Sequence, residues 1–88
     1  MIVLIRELSK GDLVIENNNT IILVLDNDSI ADTDVYGNEE RKFHLSYIEW
    51  LPSGKVERER PTEGRYESPG DHQFSSDCVR HIRRSHDR

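Results

Sequence analysis

Eighty-eight residues, 33% charged and only 34% hydrophobic with a net charge of −5, set narrow bounds on this chain. The length fits one small domain, and the apolar share lies below the roughly 45–50% of ordinary globular chains, so the core must be thin. The single cysteine, Cys78, excludes an internal disulfide and fits a reducing, cytoplasmic setting; the acidic body argues against general phosphate-backbone binding.

In chain order, residues 1–5 are apolar but are interrupted at once by Arg6 and Glu7, too short a run for a signal peptide or a membrane span. Residues 2–8 predict a first strand, broken by Ser9-Lys10-Gly11-Asp12, where Gly11 is free to take positive φ. Leu13 to Glu16 resumes the extended run, and Asn17-Asn18-Asn19 signals a turn, because asparagine tolerates the left-handed region. The run TIILVL at 20–25 is continuously apolar, which predicts the most buried strand, covered on both faces or curled into a barrel. Residues 26–41 read as a long polar loop with a short helical turn near Ser29 to Asp32, capped by Asp28.

Residues 43–59 read as a β-hairpin turning at Pro52-Ser53-Gly54, its incoming arm apolar and its outgoing arm, 55–60, charged as an edge strand would be. Alternation puts Phe43, Leu45 and Tyr47 on one face and Ile48 and Trp50 on the other. Both sets enter the core only if the strand bulges near Tyr47, which is the expectation adopted. Residues 61–76 form a second long Pro/Gly/Ser-rich loop, 77–82 a closing strand, and 83–88 a frayed basic tail on a single domain spanning 1–82.

The order Lys10-Gly11-Asp12-Leu13-Val14, an apolar strand, Tyr47-Ile48-Glu49-Trp50, Ser53-Gly54-Lys55 and Asp77-Cys78-Val79 resembles the small SH3-like barrels, especially short uncharacterised proteins of tailed bacteriophages. The resemblance covers about residues 9–60 and 77–82. The two long inserts depart from the minimal barrel, and Cys78 stands where leucine is more usual. It implies an all-β, five-stranded antiparallel barrel serving as a binding or assembly module, and it carries over no catalytic residue.

Four metal-ligand types fall close together at His72, Cys78, His81 and His86, but structural zinc sites use paired thiolates and only one is present, so neither metal nor other cofactor is expected. The carboxylates of the 26–41 stretch imitate the start of a calcium loop but lack its later ligands, since Tyr36 and Phe43 stand in those places. No nucleophile elbow, phosphate loop or zinc-protease motif occurs, so an enzyme is not expected. The aromatics Tyr36, Trp50, Tyr66 and Phe74, with Arg83 and Arg84, are the candidate partner-binding residues. The expected function is a non-enzymatic protein-binding or assembly module, phage-encoded and acting in the host cytoplasm or the virion, with a protein partner or self-association and no membrane. Two alternatives are an acidic inhibitor that imitates nucleic acid to block a host enzyme, and a nucleic-acid-binding barrel using the Arg-rich tail.

Overall fold

A computed structural model describes residues 1–52, 61–75 and 78–85. The described residues are all-β apart from one 3-10 turn at Ile5–Glu7. Five strands, β1 Leu13–Glu16, β2 Ile21–Thr33, β3 Glu39–Trp50, β4 Thr62–Pro69 and β5 Val79–Arg83, pair antiparallel in one open sheet of order β4-β3-β2-β1-β5.

Two turns form for the anticipated reasons. Gly11 has φ +89, and Asn19 has φ 71 in the turn that joins β1 to β2. A Cβ at position 11 would also stand 2.8 Å from the Cβ of Ser85, so glycine there serves both the turn and the return of the chain's end. The closing strand is present as β5, paired with β1 through Val14 and Ile82, but it runs on to Arg83, and Arg84 and Ser85 are bonded to Asp12 where the sequence predicts a frayed tail.

Elsewhere the structure departs from the sequence reading. Residues 26–41 are not a loop and hold no helical turn: β2 and β3 continue as a two-stranded ribbon, with pairs from Asp28 opposite His44 to Thr33 opposite Glu39. Their polarity reflects exposure on both faces of the ribbon. Residues 61–76 likewise contain β4, whose Glu63, Arg65 and Glu67 alternate with Gly64, Tyr66 and Ser68 as an edge strand allows. The segment 2–8 is a lid instead of a strand, and an isolated bridge between Leu4 and Gln73 ties it to the 70–75 segment, which lies outside the named strands. The Ser53-Gly54 part of the anticipated hairpin turn and the arm 55–60 lie outside the described residues.

The core occupies one face of the sheet. Val14, Ile22, Val24, Leu45 and Val79 enter it from the strands, and Val3, Ile5, Leu8 and Phe74 close over them, with Phe43, Tyr47 and Ile82 at its margin. Asn27 fastens the lid by donating from Nδ2 to the carbonyls of Ile5 (2.9 Å) and Leu8 (2.7 Å). Gly64 lets the Tyr47 ring cross β4, since a Cβ there would stand 2.2 Å from the ring. The same ring meets Phe74 edge-on at 5.5 Å. Burial, followed by the charge of Glu49, pushes the Tyr47 phenol above its ordinary pKa.

TIILVL is buried on one side only. Thr20, Ile22 and Val24 are buried, Ile21 and Leu23 are half-buried, and Leu25 is exposed as the extra residue of a bulge between Val24 and Asp26. Among these, Thr20 buries a hydroxyl with no hydrogen-bond partner among the described residues. Thr20→Val removes that cost while keeping the shape, and is expected to add about 1 kcal/mol of stability. Urea unfolding is the measurement, and a destabilised variant would mean that the hydroxyl is satisfied.

Candidate functional site: the outer sheet face and the ribbon tip

The bulge decides where the second set of side chains goes. It lies opposite Tyr47, as anticipated, but on β2: Val24 pairs with Tyr47 and Asp26 with Ser46, so Leu25 is extruded while β3 stays regular. Trp50 therefore does not turn into the core, and the expectation of a bulged β3 is corrected. It shares the outer face with Ile48, opposite Ile21 and Leu23, which in turn neighbour Ile15 and Leu13 on β1. These six side chains are all half-buried, and none belongs to the core. The lid and the 70–75 segment cover the other face.

Outward along the same face the surface becomes polar. Asp28, His44, Ser46, Arg65 and Glu67 line a shallow open depression that also touches the Leu45 and Tyr66 positions. His44 Nε2 lies 3.6 Å from Glu67, while Lys42 bridges Asp32 at 3.1 Å and Glu67 at 3.8 Å. A hydrogen bond and the charge of Asp32 raise the Lys42 pKa. Such exposed pairs fix side-chain positions more than they stabilise the fold.

Beyond Lys42 no third strand pairs with the ribbon among the described residues, and it ends in a hydrogen-bonded tip. Asp34 Oδ1 accepts hydrogen bonds from the N–H groups of Tyr36 and Asn38, each at 2.9 Å, and these bonds hold its carboxyl below the ordinary aspartate range. Gly37, at φ +81, donates to the Asp34 carbonyl at 3.0 Å. The tip projects Val35 and Tyr36, 92% and 85% exposed.

The chain matches no protein-family model, no curated protein and no solved structure. Its candidate site therefore rests on this geometry. Tyr36 and Trp50 lie on the two surfaces just described, and the exposed Arg83 borders the outer face opposite Leu13. Tyr66, 39% exposed on edge strand β4, pairs with Leu45 and so sits at the rim of the core side.

Two candidates are corrected. Phe74 is a core residue packed on Tyr47. Arg84 is engaged inside the fold, 3.1 Å from the fully buried Asp12, and donates to the Glu7 carbonyl. The metal-ligand types do not converge: His72 Nδ1 hydrogen-bonds with Ser68 Oγ at 2.9 Å, Cys78 is exposed beside β5, and His81 lies on the outer face opposite Ile15. Among the described residues no three His, Cys, Asp or Glu side chains gather as a metal site, and His86 lies outside them. No described helix is long and apolar enough to cross a membrane.

Sequence reasoning missed Ile48, Leu23, Ile21, Ile15, Leu13 and Val35. The signal was present in Leu13-Val14-Ile15 and TIILVL, where both alternation phases are apolar. For TIILVL that pattern predicts a strand covered on both faces or curled into a barrel, but it also describes a sheet whose second apolar face is not covered by the lid.

Proposed function

We propose that this protein is a non-catalytic protein-binding module that uses the outer face of its sheet. The observation that carries the reading is the alignment of Leu13, Ile15, Ile21, Leu23, Ile48 and Trp50 on strands whose opposite sides are firmly packed. A contiguous apolar patch of this kind on a charge-rich chain is a partner surface. The nearby polar and charged groups line a shallow, open depression, which suits a polar rim better than a catalytic pocket.

The finer reading of the fold is an opened SH3-like barrel. Five antiparallel strands, a bulge that bends the long second strand, and the return of β5 to β1 all support it. A phage-encoded assembly or accessory protein, working in a host cytoplasm or a virion, follows from the same resemblance. The nucleic-acid mimic is less well supported: Asp26, Asp28 and Asp32 share the ribbon's outer face, but Ile30 interrupts the row and Lys42 neutralises Asp32. A nucleic-acid-binding barrel is weakened because Arg84 is committed to Asp12.

Photo-crosslinking tests the reading. A benzophenone side chain at position 48, introduced in the native host, is expected to capture a protein, while the same group at exposed Asp71 captures none. Equal yields at the two positions, or none at either, would reject the outer face as the binding surface.

A further inference from the structure

We propose that the Val35–Tyr36 tip of one copy docks on the outer apolar face of a second copy, giving head-to-tail self-assembly. This rests on the binding-module reading and names its partner as the chain itself.

Three features carry it. The first is the form of the tip, an exposed valine and tyrosine held by the Asp34 bonds and Gly37. A rigid aromatic anchor loses little conformational freedom on binding, and tyrosine is among the residues that dominate interface energies. The second is charge. Residues 26–42 contain six carboxylates against Arg41 and Lys42. The apolar face is instead bordered on β5 by His81 and Arg83, opposite Ile15 and Leu13, with exposed Arg80 on the same strand. Glu63, opposite Ile48 on β4, makes the other border acidic, so the acidic arm with its apolar end is matched to the β5 side of the face, where Arg83 stands.

The third feature is reach. The tip joins Thr33 to Glu39, whereas Ile21 and Trp50 pair at the other end of the same two strands. A strand of β2's length spans about 43 Å, and the molecule measures 52 × 29 × 20 Å. A continuous antiparallel ladder thus holds the tip away from its own chain's apolar face, so it reaches that face only on another copy. The contact is heterologous: each copy offers one tip and one face, and the chain of contacts propagates.

Sedimentation of the purified protein tests this. The wild type is expected to gain mass with concentration and to lose it at high salt. Tyr36→Ser (tip) and Ile48→Lys (face) should each weaken association about tenfold or more. Mixing the two variants is the decisive arm. One supplies a working face and the other a working tip, so the mixture should form one-to-one dimers and stop there. If Ile48→Lys fails to melt cooperatively, Arg83→Glu replaces it as the face variant. A wild type that stays monomeric at its highest soluble concentration, a tip variant that assembles normally, or a mixture that stays monomeric would overturn the proposal. A symmetric face-to-face dimer would show itself by surviving Tyr36→Ser. Monomeric behaviour together with capture of a foreign protein at position 48 would leave the binding-module reading standing and remove only the self-assembly.

Discussion

Asp12→Ala is expected to cost about 3 kcal/mol of folding stability, much of what a domain this small holds. The carboxylate is fully buried and accepts hydrogen bonds from the Ser9 N–H (2.9 Å), the Ser85 N–H (3.0 Å) and the Arg84 guanidinium (3.1 Å). It thus ties the turn before β1 to the chain leaving β5. Truncation strands two backbone donors and a cation in place of one satisfied anion. Burial alone would push the carboxyl's pKa up, but the bonds from Ser85, Ser9 and Arg84 outweigh it and hold the pKa below the ordinary aspartate value. A depressed folded-state pKa means that the stabilisation is fully present above the unfolded aspartate's pKa. It is lost as pH falls through the lower folded value. Urea unfolding should therefore show a wide gap between wild type and Asp12→Ala at neutral pH that narrows in strong acid. A gap independent of pH would assign the residue's effect to packing instead of charge.

The same residue shows how far the sequence could be read. Gly11 and Asp12 were legible as a turn, and Asn17 to Asn19 likewise, because local backbone chemistry determines both. That Asp12 would be buried was not legible, since its partners Arg84 and Ser85 lie more than seventy positions away. The ribbon was hidden for a related reason. Strand signals depend on one buried face, and past Asn27 the stretch to Arg41 projects beyond the core with both faces largely wet, so its composition imitates a loop. Leu25 shows the reverse case: an apolar residue inside an apolar run is extruded by a bulge that depends on pairing with β3. The incompatible phases of Tyr47 and Trp50 predict a bulge, but alternation within one strand does not say which of two partners absorbs the extra residue.

Ile5→Ala and Ile48→Ala, measured side by side, should separate the two faces of the sheet. Ile5 has no exposed surface and belongs to no strand, yet it closes the core from the lid. Its backbone N–H donates to the His72 carbonyl at 3.0 Å, and Arg6 donates to the Gly70 carbonyl at 3.2 Å, so lid and 70–72 segment descend together on the sheet. Shortening Ile5 leaves a cavity that backbone bonds on both sides prevent from collapsing, and about 3 kcal/mol should be lost. Ile48 has the same side chain but is half-buried on the outer face, outside the core and away from the lid, so the cost should be under about 1 kcal/mol. Equal losses would mean that something packs on the outer face of the isolated chain. A large loss at Ile5 with a small one at Ile48 would mean that the apolar side chains of the outer face contribute little to folding, leaving a partner as the physical reason for six of them to stand in register.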